Sequence, residues 1–533
     1  MMATQRNVAT EWSLEAEKDH GDGAWELAVD AIITCPDGEE RTVPAFWAGG
    51  STWTVRWAST RTGTHHWRTA CSDEGDGGLH GRGGTVEVSA YSGGNPLLER
   101  GPLQVAASGR HLEHGDGTPF FWLGDTWWMG LCERLNWPGD FQMLARDRVE
   151  KGFSLIQIVA GLYPDMAAFD ERGRNETGFP WREEWQGIRP EYFDVADRRI
   201  QHLVKAGLVP CILGCWGYYL PWLGAEKMKQ HWRYLVARWG AYPVVWCLAG
   251  EGSMPYYLSD DKDGDRERLK AGWTELARYV RQIDPYGHPL TIHPSASSRA
   301  TVDDPSVLDL DMLQTGHGDR SSIPNTLKVV SEEYSTEPAL PVIESEVCYE
   351  GIGEACRQEI QRYMMWACTL SGAAGFTYGA NGIWQVNDRE KPYGPSPHGM
   401  AWGNTPWDEA AQLPGGRQIG LARKLLERYE WWRFEPHPEW VADPATPDNW
   451  KRPIAAGIAG QVRVVFLPSG VWGLEVQGLE ADRQYRAFLF SPVDGEEVDL
   501  GAVQAGADGT WSPPLERAPI FQDWVVVLEA SGA

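Results

Sequence analysis

Between about residues 117 and 435, short apolar runs alternate with amphipathic stretches, and this pattern constrains the fold most strongly. Eight of the runs have the length and composition of buried strands. Alternation of strands and helices is typical of parallel α/β folds, and eight units predict a (β/α)₈ barrel with insertions. The predicted strands are Phe120–Gly124, Leu155–Ala160, Val209–Gly214, Val244–Ala249, Pro289–His293, Asp311–Thr315, Pro341–Ser345 and Gly375–Tyr378.

Helical periodicity fills most of the intervals between these strands. Several of the helical stretches end at Gly152, Gly207 or Asp284-Pro285, which are stop signals. The fifth interval, between His293 and Asp311, is too short for a full helix, so its helix must be short or missing. The predicted helices are Pro138–Lys151, Tyr192–Ala206, Ala225–Trp239, Asp265–Ile283, Asn325–Tyr334, Ala355–Ser371 and a closing helix near Arg417–Trp432.

The regions on either side of the barrel have strand-like patterns only. Runs such as Trp25–Ile33 and Trp53–Ala58 are rich in β-formers and are separated by turn signals, and Val462–Leu467 and Trp524–Glu529 repeat this near the end of the chain. We therefore predict an α/β TIM barrel at residues 96–435, flanked by small β-sandwich domains at residues 1–95 and 436–533.

Composition excludes several classes of function. A net charge of −26 disfavours binding to nucleic acid or to an anionic membrane. No window is apolar enough to span a bilayer, and the first residues lack the features of a signal peptide. The nine cysteines fall largely in apolar runs and are expected to be reduced, which fits a cytoplasmic protein. No metal site and no cofactor are predicted, and the oligomeric state stays open, homo-oligomers included.

Two glutamates stand where catalytic groups of such a barrel are found, at the C-terminal ends of strands. Glu251 follows the apolar fourth strand, whose burial should raise the carboxyl pKa and favour a general acid. Glu346 ends the seventh strand, roughly across the barrel mouth. Hydrolysis of an acetal needs a pair of carboxyl groups of this kind, one to protonate the leaving oxygen and one to attack or to activate water. Glu344 and Glu350 compete with Glu346, which we prefer.

Other polar and aromatic residues at the strand ends are candidates for substrate binding. Asp125 is expected to bind sugar hydroxyls, and His293 and His317 to hold hydroxyls or to orient a carboxylate. The chain has 29 tryptophans, and aromatic rings stack on the C–H faces of sugars. The predicted aromatic residues of the site are Trp127, Trp128, Trp216, Tyr219, Tyr349, Tyr378 and Trp384.

Four stretches of the barrel resemble the apiosidase-like glycoside hydrolases. They are residues 117–128 (Gly-Thr-Pro-Phe-Phe-Trp-Leu-Gly-Asp-Thr-Trp-Trp), 245–251 (Val-Trp-Cys-Leu-Ala-Gly-Glu), 341–350 (Pro-Val-Ile-Glu-Ser-Glu-Val-Cys-Tyr-Glu) and 378–384 (Tyr-Gly-Ala-Asn-Gly-Ile-Trp). The N-terminal part resembles the β-sandwich that often precedes these barrels, and the C-terminal part is similar to a small domain sometimes labelled collagen-binding.

This resemblance implies an acid/base at Glu251, a nucleophile at Glu346 and an activity that releases the branched pentose apiose. The chain departs from the family pattern in two places. The family often has Asp where this chain has Glu251, and retaining barrels of the wider superfamily usually have Asn where this chain has Gly250. The customary contact to the sugar 2-hydroxyl must therefore come from another residue.

The predicted barrel and its pair of glutamates are compatible with three functions. The first is a retaining, exo-acting glycoside hydrolase that releases a terminal sugar, a furanose or pentose among the candidates, from small oligosaccharides or glycosides. A transglycosylase with the same carboxylates would differ in its products. A non-catalytic carbohydrate-binding protein would bind without turnover, which the intact pair Glu251 and Glu346 disfavours.

Overall fold

The computed structural model describes residues 2–471 and 473–531. Its N-terminal region forms two sheets that pack together as the predicted sandwich. A five-stranded sheet has the order β1-β8-β7-β3-β4, and a three-stranded sheet has the order β2-β6-β5. The strands are β1 (Met2–Gln5), β2 (Thr10–Glu15), β3 (Val29–Thr34), β4 (Glu40–Pro44), β5 (Phe46–Gly49), β6 (Thr52–Trp57), β7 (Gly63–Cys71) and β8 (Gly83–Ser89).

A short connector leads from the sandwich into the barrel. Helix α1 (Pro96–Arg100) begins at Asn95, whose side chain accepts a hydrogen bond from the backbone of Leu97 and caps the helix. A small antiparallel sheet follows, made of β9 (Leu103–Val105), β10 (Leu112–His114) and β11 (Pro119–Phe120). The predicted first barrel strand therefore begins two residues later than expected, because Phe120 pairs within this small sheet.

Eight parallel strands form the barrel, as the sequence predicts. Their order is β16-β15-β14-β13-β12-β19-β18-β17, so the first strand pairs with the last and the ring is open only between the fifth and sixth strands. The strands are β12 (Trp122–Trp127), β13 (Leu155–Val159), β14 (Val209–Leu213), β15 (Val245–Cys247), β16 (Leu290–Thr291), β17 (Asp311–Gln314), β18 (Val342–Glu346) and β19 (Gly375–Tyr378).

Ser298 fills the gap between β16 and β17. Its hydroxyl donates to the carbonyl of Ile292 at 2.5 Å and accepts from the backbone N–H of Met312 at 2.8 Å. Thr291 also reaches across, donating to the carbonyl of Leu310 at 2.9 Å. Side-chain hydroxyls thus replace the missing ladder between these strands, as buried backbone groups require.

The helices cover the outside of the barrel. The fifth unit carries only the four-residue helix α7, which confirms the prediction of a short or missing helix. The helices are α2 (Gly139–Glu150), α3 (Pro190–Lys205), α4 (Tyr219–Leu223), α5 (Ala225–Trp239), α6 (Lys262–Ile283), α7 (Ser298–Thr301), α8 (Ile323–Tyr334), α9 (Gln358–Leu370), α10 (Trp407–Ala410) and α11 (Pro414–Leu426).

A buried ion-pair network joins the N-terminal sandwich to the barrel. Asp197 of α3 lies 2.7 Å from Arg56 of β6 and 2.8 Å from Arg238 of α5. Burial would raise the pKa of Asp197, but the two guanidinium groups hold that pKa below its ordinary value. Because removing one partner would leave a buried charge uncompensated, this network ties the two regions together.

The C-terminal region is a six-stranded sheet of order β20-β21-β22-β25-β23-β24. One face packs on the barrel, where Phe466 stacks on Trp366 of α9 and Arg362 forms an ion pair with Asp523 at 2.7 Å. Isolated bridges join Val476 to Val441 and to Trp511 over the other face. The strands are β20 (Glu435–Pro436), β21 (Ile454–Ile458), β22 (Val462–Leu467), β23 (Tyr485–Phe490), β24 (Glu497–Ala502) and β25 (Trp524–Ala530).

Two further observations bear on the composition of the chain. Among the described residues, no helix has both the length and the apolar character needed to cross a bilayer. All nine cysteines are buried free thiols.

Candidate active site

A cavity of about 230 Å³ opens at the C-terminal ends of the barrel strands. Its walls combine aromatic rings with a few carboxyl and imidazole groups, a mixture that is typical of small-molecule sites. Seven of the twelve site residues predicted from the sequence line it: Trp128, Trp216, Glu251, His317, Glu346, Tyr349 and Trp384.

Glu251 lies just beyond β15, in a backbone conformation with φ +43° that is strained for a residue with a side chain. Its carboxyl oxygens accept from the Trp216 indole N–H at 3.3 Å and from the Gln314 amide at 3.1 Å. Removal from water by the pocket walls, followed by the nearby charge of Glu346, raises the pKa of Glu251 to about 7. Glu251 can therefore hold a proton at the pH where most carboxyl groups have lost theirs.

Gly250 allows Trp216 to approach Glu251. A Cβ atom at position 250 would lie 2.1 Å from the Trp216 ring, and the two residues also form an isolated parallel bridge. An asparagine at this position would displace the indole. The departure noted in the sequence thus has a steric reason, and the indole N–H occupies the space beside the carboxyl.

Glu346 ends β18 and is 5% exposed. Its Oε1 lies 2.9 Å from His317 Nε2, and its Oε2 lies 3.2 Å from His293 Nε2, a contact that lacks hydrogen-bond geometry. Burial alone would raise the pKa of Glu346, but the two imidazoles outweigh it and lower the pKa to about 2. Glu346 is therefore a carboxylate throughout the neutral and mildly acidic range.

Aromatic stacking holds the imidazole of His317 in place. Its ring stacks on Tyr349 with 5.0 Å between centroids, and Tyr349 stacks in turn on Trp384 at 6.0 Å. The Tyr349 hydroxyl accepts from the Trp128 indole N–H at 2.9 Å. Burial opposes the charged form of His317, yet the contact with Glu346 raises the pKa of His317 above its ordinary value.

A β-bulge brings Gln314 opposite Glu346. The register between β17 and β18 shifts at Leu313/Gln314, so that Leu313 pairs with Glu344 and Gln314 pairs with Glu346. Ser345, the residue passed over, donates its hydroxyl to the carbonyl of Leu313 at 2.7 Å. Bulges of this kind redirect side chains next to active sites, and here Gln314 reaches across to Glu251.

The other two acids in and after the seventh strand, Glu344 and Glu350, do not line the cavity. Glu344 is fully buried, and burial raises its pKa well above the ordinary value. Glu350 accepts from the Tyr378 hydroxyl at 2.5 Å and from the backbone of Gly415 at the start of α11. Glu346 is thus the acid of this segment that meets Glu251 in one pocket.

The five remaining predicted site residues lie outside the cavity wall. Asp125 falls within β12 and forms a buried ion pair with Arg148 of α2 at 2.6 Å, while it also accepts from the Trp127 indole. Trp127 packs edge-on against Phe141 behind the strand. Because β12 continues past Asp125 to Trp127, the Asp125 carboxylate sits in the barrel wall and not at its rim, where we expected it, and the Trp127 ring packs against α2 and not in the pocket.

Tyr219, Tyr378 and His293 are also displaced from the surface of the site. Tyr219 lines a separate, much smaller cavity with Trp181 and Trp185, and the Tyr378 hydroxyl donates a hydrogen bond to Glu350. His293 is fully buried beneath the pocket, where it contacts Glu346 and packs edge-on against Trp128. It can orient the carboxylate from below without touching a ligand.

Several residues that line the cavity were not predicted from the sequence because they belong to long loops. Asp165 follows the second strand, Met254 and Tyr257 follow the fourth, and His398 and Trp402 follow the eighth. No strand end or motif marks them, although Asp165 lies in a loop rich in aromatic residues. Among the described residues, no group of three or more His, Cys, Asp or Glu side chains is arranged to hold a metal ion.

The sequence of the barrel matches the model of the apiosidase-like catalytic domain over residues 106–433. The chain belongs to the apiosidase-like family. The resemblance noted in the sequence is thereby confirmed, and the protein is a glycoside hydrolase. Residues 6–72 match a domain of unknown function, DUF5060. A comparison with curated proteins gives no match.

Solved structures of glycoside hydrolases share this fold. A family 5 glycoside hydrolase from Bacteroides vulgatus ATCC 8482 aligns with a TM-score of 0.68 at 22% identity, covering 82% of this chain and 94% of its own. A structure titled simply "Glycoside hydrolase" aligns with a TM-score of 0.65 at 21% identity, covering 83% of this chain and 99% of its own. A third, from the same Bacteroides strain and provisionally assigned as a glycoside hydrolase, covers 99% of this chain and 100% of its own with a TM-score of 0.73 at 16% identity.

Proposed function

We propose that the chain is a retaining, exo-acting glycoside hydrolase in which Glu346 is the nucleophile and Glu251 is the acid/base. One observation carries the proposal. Two carboxyl groups line the same pocket, and their pKa values lie on opposite sides of the mildly acidic range, about 7 for Glu251 and about 2 for Glu346. Environments that separate two carboxyl groups in this way assign one as acid and the other as carboxylate.

In the first step the Glu346 carboxylate attacks the anomeric carbon while Glu251 gives its proton to the leaving oxygen. The imidazoles of His317 and His293 keep Glu346 ionised, and the contact with His317 at 2.9 Å fixes its orientation. As the negative charge of Glu346 is consumed in the new bond, the pKa of Glu251 falls, because that charge is one of the causes of its elevation.

In the second step Glu251, now ionised, takes a proton from water as the water oxygen attacks the anomeric carbon, and the bond from that carbon to Glu346 breaks to release the sugar and the Glu346 carboxylate. The N–H groups of Trp216 and Gln314 stabilise the ionised form of Glu251 at this stage. The cycle restores both starting protonation states, so no cofactor is needed.

The loops around the pocket support action on a terminal sugar. Segments that follow the second, fourth, seventh and eighth strands supply Asp165, Tyr257, Ile352 and Trp402, which wall the cavity on several sides. A walled cavity suits the end of a glycan chain better than its middle. The family description suggests a pentose such as apiose, in furanose form, as one candidate for this terminal sugar. The nine free thiols separately suit a protein of a reducing compartment.

A panel of nitrophenyl glycosides tests this proposal. Pyranosides and furanosides of both anomers are incubated with wild type, Glu346→Gln and Glu251→Gln. We expect wild type to release nitrophenol from at least one member of the panel, and Glu346→Gln to be at least about a thousandfold slower. Glu251→Gln should still release nitrophenol, because this good leaving group does not need a proton from the acid.

Chromatography of the products separates hydrolysis from transglycosylation, since a transglycosylase would form a new glycoside. Equal rates for wild type and both variants would overturn the assignment of the two glutamates. Sugar binding without turnover, unchanged in both variants, would instead favour a non-catalytic carbohydrate-binding protein.

A further inference from the structure

Asp165 is a third carboxyl group of the pocket, and the mechanism above does not use it. It lies in the loop after β13, is 7% exposed and lines the same cavity as Glu251 and Glu346. Its carboxylate accepts hydrogen bonds from the Tyr257 hydroxyl and from the Trp402 indole N–H, the latter at 2.8 Å. Three separate loops therefore meet at this side chain.

The surroundings of Asp165 are fixed before any ligand binds. Its backbone has φ +55°, a left-handed conformation that a non-glycine residue keeps only where its neighbours impose it. Tyr257 stacks on His398 with 4.3 Å between ring centroids. The segment that carries Trp402 is held by the side-chain amide of Asn381, which donates to the Trp402 carbonyl at 2.5 Å.

The hydrogen-bonding capacity of Asp165 is only half used. A carboxylate offers about four acceptor positions, and the two protein donors, one on each oxygen, occupy two of them. The remaining positions accept hydrogen but cannot donate it. Two hydroxyl groups on adjacent carbons of a sugar match such a pair of acceptors, since each has a hydrogen to give.

The charges of the pocket point to the same class of ligand. The described residues that line it include Asp165, Glu251 and Glu346 but no lysine or arginine, and the imidazole of His317 is already paired with Glu346 at 2.9 Å. The nearby guanidinium of Arg172 forms an ion pair with Asp170 at 2.7 Å and donates to the carbonyls of Tyr393 and Pro395. A sugar carboxylate or sulfate would thus enter without the cationic partner on which recognition of such groups depends.

We propose that Asp165 is a specificity-determining residue, which accepts hydroxyl hydrogens from an uncharged sugar bound between Glu251 and Glu346. The inference rests on the proposed function and adds to it the class of substrate. Tyr257 and Trp402 orient the carboxylate, while the acidic lining excludes uronic acids and sulfated sugars. A buried acceptor that has no hydrogen-bond donor raises the free energy of the complex. Sugars that lack the matching hydroxyl are therefore rejected.

The experiment tests whether Asp165 accepts a hydrogen bond from a particular hydroxyl group of the sugar. For the uncharged nitrophenyl glycoside that wild type cleaves fastest, kcat/KM is measured for the parent and for each monodeoxy analogue, with wild type and with Asp165→Asn. Asparagine keeps the shape and adopts the left-handed backbone readily, so folding is preserved and is checked by thermal melting. Asp263→Asn, at a fully exposed helix position, is the matched control.

We expect Asp165→Asn to lower kcat/KM for the parent by about a hundredfold and Asp263→Asn to leave it unchanged. At least one monodeoxy analogue should be about a hundredfold worse than the parent with wild type and nearly equal to it with Asp165→Asn. The nitrophenyl uronide of the same ring configuration should be cleaved at least about a hundredfold more slowly by wild type.

Deoxy penalties that persist unchanged in Asp165→Asn, or a uronide cleaved as fast as the neutral parent, would overturn the inference while leaving the two catalytic glutamates in place. Wild-type inactivity on every member of the panel would overturn the proposed function and this inference with it.

Discussion

The indole of Trp216 occupies the space that a side chain at position 250 would need. A Cβ atom on Gly250 would lie 2.1 Å from the ring, and the same indole donates its N–H to Glu251 at 3.3 Å. Gly250→Ala should therefore displace Trp216 and lower kcat/KM by on the order of a hundredfold. Gly23→Ala, where a Cβ meets open space, is the control and should have no effect. Full activity of Gly250→Ala would show that the indole is not needed at this place.

The pH dependence of kcat/KM should follow the two carboxyl groups. Catalysis needs Glu251 protonated and Glu346 ionised, so activity should be level across mildly acidic pH and fall about tenfold per unit above about pH 7. The acid limb should lie near pH 2, below the range in which most proteins stay folded. Measurement of kcat/KM from pH 4 to 9 checks this. An alkaline limb that persists unchanged in Glu251→Gln with nitrophenyl substrates would assign it to another group.

His317 should control the ionisation of Glu346. In His317→Gln a neutral amide replaces an imidazole that lowers the pKa of Glu346, so that pKa should rise and the acid limb should move to higher pH. We expect kcat/KM at pH 5 to fall on the order of tenfold. His437→Gln removes a partly buried histidine of the C-terminal region, which contacts Glu439 at 2.7 Å, and serves as the control. If the acid limb of His317→Gln lies at the same pH as that of wild type, His317 does not control the ionisation of Glu346.

The sequence was sufficient to predict the barrel because its signal repeats. Eight apolar runs and the helices between them each carry their own periodicity, and the short fifth interval correctly predicts a unit with almost no helix. The ends of strands were harder to place. Asp125 was expected at the rim, but β12 continues to Trp127 and pairs with β13 and β19, which places the carboxylate in the wall beside Arg148.

The pocket itself was only partly predictable. Glu251 and Glu346 could be found because they lie at the C-terminal ends of the fourth and seventh strands, and their partners Trp216 and His317 lie at neighbouring strand ends. Asp165 and Trp402 are 237 residues apart and meet only because loops after the second and eighth strands fold over the barrel mouth. No local pattern encodes such a contact, since it depends on the path of two long loops.

Asp125 provides a test that separates a structural role from substrate binding. Asp125→Asn would leave the buried guanidinium of Arg148 with only Asp147, 2.5 Å away and partly exposed, as a carboxylate partner. The free energy of unfolding should fall by about 3 kcal/mol, because a buried charge loses its closest counterion. Denaturant unfolding measures this, and kcat/KM of the folded protein should change by less than about threefold. A large loss of activity without a loss of stability would instead place Asp125 in contact with the substrate.

The most direct test of the central claim is to trap the covalent intermediate and find the residue that carries it. The sugar identified with the nitrophenyl panel is prepared as a 2-deoxy-2-fluoro glycoside with a good leaving group, and the inactivated protein is digested and analysed by mass spectrometry. The account predicts one glycosyl unit per chain on the peptide that contains residues 342–350, attached to Glu346. A label on Glu251, Glu344 or Asp165, or hydrolysis with inversion and no trapped species, would contradict it.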